Sequence, residues 1–174
     1  MLDHIHVRHR PGGLPHQGLL SAAGRTIHCC LGRSGIHPLK REGDGVTPSG
    51  SYNLLFGFFR KSGVGLLPSM LPMSRINRES GWCDDPANAN YNRFVKLPFS
   101  ASHEKMMRDD RLYDICIVMD HNILPRKRNA GSAIFFHQTR ENRGPTEGCV
   151  AIDPDEMRRL LPVLSTFTTM HIHP

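Results

Sequence analysis

Long apolar runs are missing from the 174-residue chain. No stretch approaches the roughly 18 consecutive apolar residues of a membrane-spanning helix, and residues 1–10 lack the apolar segment of a secretory signal. No internal repeat or low-complexity segment is present either. We therefore expect no membrane span and a cytoplasmic location, or a periplasmic one if the chain is a processed form.

Cysteine patterns that would indicate disulfides or zinc are also missing. The five cysteines are odd in number and Cys29 adjoins Cys30, which is not the arrangement of a disulfide framework. No Cys-x-x-Cys pair or His/Cys cluster has the spacing of a zinc site. Histidines near the two ends resemble a ligand set only superficially, because strand alternation would expose them: His4, His6, His9, His171 and His173. We predict no metal and no cofactor.

The charge of the chain is basic but scattered. The net charge is +6 and the isoelectric point is near 9.4, yet the tightest basic cluster, residues 126–128, is not interleaved with aromatic residues. A solvated face is the better interpretation, so we predict no nucleic-acid partner. A positive charge would also suit an anionic peptide. The sequence does not indicate an oligomeric state.

The hydrophobic pattern predicts several strands and one helix within a single domain, residues 1–174. Strands are expected near residues 5–7 and over residues 25–31, 51–60, 112–119, 132–137 and 167–172. Residues 47–50 indicate a turn, 61–92 a long ordered loop and 100–111 a short helix. Asp153 would cap a second helix with one apolar face, formed by Met157, Leu160, Leu161 and Leu164. The pattern is typical of a mostly β or α+β fold.

His137 and Cys149 are the residues with the clearest chemical potential. His137 ends an apolar, β-favouring run, and Cys149 follows a turn in which Gly148 lets the backbone bend tightly. A thiol is a strong nucleophile only as thiolate, and a nearby imidazole is the usual base that produces it. We therefore expect the His137 ring to be directed at the Cys149 sulfur, close enough for a direct or nearly direct hydrogen bond. The alternative is a buried cysteine that acts as a small hydrophobic side chain.

Three segments resemble the L,D-transpeptidase (YkuD-like) family. Residues 134–137 followed by Thr146-Glu147-Gly148-Cys149 resemble its strand-end His and its Ser/Thr-x-Gly-Cys element. Residues 42–52 resemble its Gly-Asp-Gly-x-Thr-Pro-x-Gly turn and the strand that follows. Gly81-Trp82-Cys83-Asp84-Asp85-Pro86, with Tyr91 and Asn92, resembles one bacterial branch of the family. Together the matches extend roughly from residue 40 to residue 165.

The resemblance implies a fold, a substrate class and a reaction. The fold would be a β-sandwich-like arrangement of mixed sheets with Cys149 at one end. The partners would be peptidoglycan stem peptides or muropeptides, cleaved between the L-centre of a diamino acid and a terminal D-residue through a thioester on Cys149. An amine would resolve this thioester in a transpeptidase, and water in a cytoplasmic carboxypeptidase that trims recycled tetrapeptides. A non-catalytic muropeptide-binding module is a further alternative.

Roles for neighbouring residues follow from the resemblance and from general chemistry. The resemblance suggests that the backbone carbonyl of Gln138 holds the His137 ring. The amides of Gly148 and Cys149 are candidates for an oxyanion hole, to which the Thr146 hydroxyl could contribute.

The substrate groove is predicted from the third motif and from two departures from the family. Many members have His at position 147 and Arg at position 151, where Glu147 and Ala151 stand in this chain. Another arginine would then have to bind a substrate carboxylate, first Arg140 or Arg143 and then Arg75 or Arg93. From the third motif, the candidate groove residues are Trp82, Asp84, Asp85, Tyr91 and Asn92.

Overall fold

Alternation of polar and apolar residues builds most strands of the protein. The computed structural model describes residues 1–60, 68–140 and 142–174. In β1 the side chains of Ile5 and Val7 are fully buried, whereas His4 and His6 are exposed. The strands are β1 His4–His9, β2 Gln17–Ala22, β3 Arg25–Cys30, β4 Ile36–His37, β5 Thr47–Pro48, β6 Gly50–Phe59, β7 Met73–Arg75, β8 Ser80–Cys83, β9 Arg93–Lys96, β10 His103–Lys105, β11 Ile115–Met119, β12 Phe135–Gln138, β13 Val150–Ile152 and β14 Thr169–Ile172.

The main sheet is mixed and closes on itself. Its nine strands follow the order β11-β12-β13-β3-β2-β1-β14-β6-β7, and β11 also pairs with β6. The pairs β1–β14, β12–β13 and β6–β7 are parallel, and the others are antiparallel. Apolar side chains from opposite walls, such as Val7, Ile117 and Phe136, meet inside in one core. The predicted mostly β fold with mixed sheets is confirmed.

A smaller sheet covers part of the outer face of the main sheet. It has three strands in the order β10-β8-β9. Trp82 of β8 lies edge-on to Phe135 of β12, with 5.1 Å between ring centroids, and also to Phe58 of β6 at 6.4 Å. A second apolar core forms between the two sheets, and Cys149 belongs to it. The outer face of β12 is therefore the place where a covered, water-poor site can form.

The predicted helix is present but short. Helix α1 spans Pro154–Leu160, and the Asp153 carboxylate caps it by accepting a hydrogen bond from the Asp155 amide at 2.9 Å. Leu161 lies in a following 3-10 turn, Leu161–Val163, and Leu164 comes after that turn. All four predicted apolar residues are buried nonetheless. Within the described residues, no helix has the length and apolar character needed to cross a membrane.

The turn at residues 41–46 is closed by Asp44. The Asp44 carboxylate accepts hydrogen bonds from the backbone amides of Arg41 and Val46 at 2.6 and 2.9 Å. The buried Lys40 ammonium lies 2.5 Å from the same carboxylate. Burial alone would raise the pKa of Asp44, but the ion pair with Lys40 and the backbone hydrogen bonds outweigh it, so the pKa is lowered. The turn is thereby fixed beside residues 147–148, since the Lys40 ammonium also donates to the Glu147 carbonyl at 3.5 Å.

Two local predictions are wrong, and a third is incomplete. Residues 100–111 do not form a helix, because β10 pairs with the edge of β8 and the ladder outweighs a weak helical propensity. Residues 68–92, the described part of the predicted loop 61–92, are mainly loop as expected, but they also contain the short strands β7 and β8, which were not predicted. Residues 47–50 are not a simple turn, because β5 pairs with β4 and β6 begins at Gly50. The sequence reasoning also missed β2.

Asn92 connects the two sheets, and its replacement should weaken the fold. Its side-chain oxygen accepts from Trp82 Nε1 and from the Ala133 amide, both at 3.0 Å, and its amide group donates to the carbonyls of His121 and Asn122. Asn92→Ala would leave the buried indole N–H without a partner. We expect a loss of about 3 kcal/mol in the free energy of unfolding, measured by urea denaturation.

Asn88→Ala provides the matched control for this measurement. The Asn88 side chain accepts one hydrogen bond, from the Asn90 amide at 2.9 Å. Its loss should cost about 1 kcal/mol or less. Equal destabilisation by the two variants would contradict the role given to Asn92.

Candidate active site

The pairing of β12 with β13 places His137 and Cys149 on one face of the main sheet. The two strands are parallel, with Phe136 opposite Val150 and His137 opposite Ala151. Side chains alternate along a strand, so His137 and Ala151 share a face, and Cys149 shares it because it precedes Ala151 by two positions. Both His137 and Cys149 line a cavity of about 380 Å³.

Backbone groups surround the Cys149 thiol. The thiol donates to the Ala133 carbonyl at 3.1 Å, and the Phe135 amide donates to the sulfur at 3.3 Å. Burial, and next the nearby Glu104 carboxylate, raise the pKa of Cys149 to about 12. The resting group is therefore a protonated thiol.

The His137 imidazole is neutral and fixed in orientation. The Gln138 carbonyl lies 2.7 Å from Nδ1, so Nδ1 carries the proton and Nε2 is left as the basic atom. Burial is the largest effect on this ring and lowers its pKa to about 4. The Tyr113 ring packs edge-on against the imidazole, with 5.1 Å between ring centroids. The contact that the resemblance implies for Gln138 is thus present, while its part in a reaction stays a prediction.

One predicted contact within the pair is not formed. The expectation was a direct or nearly direct hydrogen bond between the imidazole and the thiol. Among the described residues, the hydrogen bonds of the Cys149 sulfur are instead made to the backbone of Ala133 and Phe135. The expected contact is absent because two backbone groups already form hydrogen bonds with the thiol. They are the Ala133 carbonyl, just before β12, and the Phe135 amide, at the start of β12.

The turn before Cys149 requires glycine and uses the Thr146 hydroxyl. Thr146 Oγ1 accepts from the Gly148 amide at 3.1 Å and donates to the Cys149 carbonyl at 2.8 Å. Gly148 has φ +135°, and a Cβ there would lie 2.6 Å from the Val46 carbonyl oxygen. Because the Gly148 amide already has an acceptor, the Cys149 amide is the better candidate for an oxyanion donor.

The sequence comparison identifies the family of this fold. The sequence matches the L,D-transpeptidase catalytic domain, YkuD, over residues 17–172. The chain belongs to the YkuD family. No curated protein matches it at significant similarity.

Two solved structures align with this YkuD domain at low identity. One is L,D-transpeptidase 1 of Mycobacterium tuberculosis, with 13% identity and a TM-score of 0.42 over 98% of this chain and 62% of that one. The other is the LD transpeptidase LdtMt1 in complex with imipenem, with 12% identity and a TM-score of 0.43 over 97% of this chain and 58% of that one. The chain spans about three fifths of the length of either structure.

Two of the predicted groove residues line the cavity of this YkuD domain. These are Asp84 and Arg140, and Ala151 lines the cavity where many family members have Arg. Glu147 also lines it and forms a salt bridge with Arg33. An arginine from the loop between His137 and Cys149 therefore reaches the cavity, while its part in binding a substrate carboxylate stays a prediction.

Four other predicted groove residues have structural positions instead. Trp82 is buried in the second core and Asn92 holds it through the hydrogen bond to Nε1. The Tyr91 hydroxyl donates to Glu42. Arg143 lines a separate cavity of about 100 Å³ that also contains Cys30. The prediction that these four line the groove is wrong, because the motif side chains Trp82, Tyr91 and Asn92 fix the sheet on which the groove is built.

Sequence reasoning missed several residues that line the cavity. Glu104 comes from β10, and Arg108 and Tyr113 come from the segment that follows it. Because residues 100–111 were predicted to form a helix, Glu104 and Arg108 were not expected at the site. No local motif marks Tyr113. Glu42 lies in the second family-like segment but was not singled out.

The histidines near the chain ends lie on the outer surface. His4 and His171 are joined by a ring hydrogen bond of 3.0 Å, and His6 and His173 by one of 3.1 Å. In the part of the chain that the structure describes, no three or more His, Cys, Asp or Glu side chains are arranged to hold a metal ion.

Burial of His137 should make the fold less stable in acid. Its pKa is about 4 in the folded protein and rises to its ordinary value, 6.5, on unfolding, so the unfolded chain binds more protons between these pH values. The free energy of unfolding should therefore fall by up to about 3 kcal/mol as pH drops from 6.5 to 4, and should be unaffected by this group above pH 6.5. His137→Gln should flatten this pH dependence, measured by urea denaturation across the range.

The exposed His28 of β3 offers a control. His28→Gln should retain the pH dependence of the unmodified protein. A His137→Gln profile that parallels the unmodified protein would show that the buried neutral imidazole is not its source.

Proposed function

We propose that the protein is a cysteine-dependent acyl-transfer enzyme that acts on peptidoglycan stem peptides through a thioester at Cys149. The observation that carries the proposal is the placement of a thiol and an oriented neutral imidazole in one cavity, on the scaffold of the YkuD family. The family description supplies the reaction class, and the cavity residues supply a nucleophile and a base.

The proposed chemistry starts from a neutral pair. Cys149 Sγ attacks the carbonyl carbon between the L-centre of a diamino acid and the terminal D-residue, and His137 Nε2 accepts the thiol proton. Because burial opposes both the free thiolate and the free imidazolium, proton transfer accompanies the attack instead of preceding it. The Gln138 carbonyl then stabilises the imidazolium through Nδ1–H. The imidazolium returns the proton to the leaving amine of the D-residue.

The arginines on the cavity wall are suited to a substrate carboxylate. Arg108 binds Asp110 through two hydrogen bonds of 2.9 and 2.7 Å, and Arg140 binds the same carboxylate at 2.9 Å. Two guanidinium groups therefore share one carboxylate, which leaves one positive charge available. We expect the carboxylate of the terminal D-residue to bind to this remaining positive charge.

The acyl acceptor distinguishes two forms of this enzyme. Attack by an amine gives an L,D-transpeptidase, and attack by water gives an L,D-carboxypeptidase, both from the same thioester. The protonated resting thiol also suits a muropeptide-binding module that performs no reaction. Incubation with a stem tetrapeptide separates the three: a crosslinked or exchanged product, a tripeptide with free D-alanine, or unchanged tetrapeptide.

Cys149→Ala should abolish tetrapeptide turnover while the protein stays folded. The thiol makes two hydrogen bonds, one to the Ala133 carbonyl and one from the Phe135 amide, and their loss should cost about 2 kcal/mol. His137→Gln should lower kcat by at least about 100-fold, since a base at this position contributes that much or more. Product formation is followed by chromatography, and folding by circular dichroism.

Cys30→Ser is the control among the cysteines. The Cys30 thiol faces the separate cavity and donates to the Arg143 carbonyl at 3.2 Å, a bond that a hydroxyl retains. This variant should keep the turnover of the unmodified protein. Turnover by Cys149→Ala would refute the mechanism.

Arg140→Ala should raise KM for the tetrapeptide by about tenfold and change kcat by less than about threefold, because the arginine acts on binding. A tetrapeptide with a C-terminal amide in place of the carboxylate should respond little to the substitution. Arg158→Ala is the matched control, since Arg158 is about equally exposed and pairs with Asp155 on α1. Equal KM values for Arg140→Ala and Arg158→Ala would rule out this role for Arg140.

A further inference from the structure

Side chains of both charges line the cavity. Arg108 and Arg140 line it, and both pair with Asp110. Besides Glu147, which pairs with Arg33, three carboxylates from separate segments of the chain also line it: Glu42, Asp84 and Glu104. Burial has the largest effect on Glu104 and raises its pKa, and the charges of Asp84 and Glu42 add to this, whereas the Tyr113 hydroxyl and the Arg108 guanidinium lower it. The three carboxylates therefore act on one region of the cavity.

These carboxylates lack a salt-bridge partner in the described structure, although the charge of Arg108 acts on Glu104. Among residues 1–60, 68–140 and 142–174, none of the three forms a salt bridge. Glu42 accepts from the Tyr91 hydroxyl, and Glu104 from the Tyr113 hydroxyl at 2.6 Å. Asp84 Oδ1 is buried and has no hydrogen-bond partner within these residues. An unpaired buried carboxylate oxygen beside a cavity is costly, and a cation in the cavity would remove that cost.

Without a bound substrate, the carboxylates are unfavourable for ionisation of the Cys149 thiol. The Glu104 carboxylate opposes ionisation of Cys149, whereas the cations of Lys40 and Arg108 favour it. Tyr113 and Cys116, also near the thiol, are both neutral because burial raises their pKa values. Replacing Glu104 would make a catalytic thiol easier to ionise, unless a positive charge binds to this carboxylate during the reaction.

We propose that Glu42, Asp84 and Glu104 bind a primary ammonium group of the peptide substrate, namely the second amino group of the diamino acid whose carbonyl Cys149 attacks. This inference rests on the proposed function, since it concerns the substrate of the same cavity. The ammonium is a bystander in the reaction. Three carboxylates favour its charged form, and a charged amine has no lone pair with which to attack a thioester.

The arrangement links substrate binding to activation of the thiol. An ammonium held by the carboxylates cancels the field that opposes ionisation of Cys149, so the pKa of Cys149 falls when the substrate binds. Peptides that lack the charge would leave the thiol in its resting state. The three carboxylates therefore select the substrate by its charge as well as by contact.

Two tetrapeptides test the substrate side of the proposal. They differ only in the side-chain amine of the third residue, which is free in one and acetylated in the other. For the unmodified protein, acetylation should lower kcat/KM by about tenfold or more. The ratio of kcat/KM for the free tetrapeptide to kcat/KM for the acetylated one should fall towards one in Glu104→Gln and in Asp84→Asn. Glu79→Gln, which alters an exposed residue paired with Lys96, should keep the full ratio.

Alkylation of Cys149 by iodoacetamide tests the electrostatic side without any turnover. Glu104→Gln should be alkylated faster than the unmodified protein at the same pH, since the opposing charge is gone. Addition of n-butylammonium chloride should accelerate alkylation of the unmodified protein relative to sodium chloride of equal ionic strength, but not that of Glu104→Gln. A merely structural role of Glu104 would produce neither difference.

The outcomes separate this inference from the proposed function. If both tetrapeptides are turned over equally well, the ammonium site is refuted while the acyl-transfer function stands. If neither is turned over, the proposed function fails, and the alkylation rates then decide the ammonium site: acceleration by butylammonium supports it, and no acceleration overturns it.

Discussion

The parallel pairing of β12 with β13 is the constraint on which the site depends. It sets His137 level with Ala151 and leaves Cys149 one residue before the ladder, on the same face as the imidazole. Hydrogen bonds of a sheet leave little freedom along the strand, and a shift by one residue would send Cys149 into the inner core. The surrounding parts serve this pairing: Gly148 allows the tight turn, and Asn92 holds Ala133, whose carbonyl accepts from the thiol.

Burial determines how the pair works. The smaller sheet and the second core exclude water from the thiol and the imidazole, which keeps both neutral. A preformed ion pair is then not the resting state, and in the proposed mechanism the base acts at the moment of attack. The cavity is polar nonetheless, and both arginines and carboxylates line it. A zwitterionic peptide would match this distribution, and its charges would change the field at the sulfur when it binds.

Local sequence patterns predicted the strand-end His137, the Gly148-Cys149 turn, the capping Asp153 and most strands of the main sheet, because neighbouring residues determine these features. They failed where pairing between distant segments decides the outcome. Residues 103–105 form a strand because β8 offers an edge, and Glu104 thereby reaches the cavity. Glu42, Asp84 and Glu104 come together only through the topology. Motif residues such as Trp82 and Asn92 were interpreted as groove residues, although their hydrogen bond builds the wall behind the groove.

The central claim is that Cys149 carries the acyl group. Rapid quenching of the protein with a stem tetrapeptide in acid, followed by mass spectrometry of the intact chain and of its peptides, tests it most directly. The account predicts a mass increase equal to that of the tripeptide acyl group, located on the peptide that contains Cys149 and removed by hydroxylamine. An acyl group on another residue, or turnover with no acylated protein at any quench time, would contradict the account.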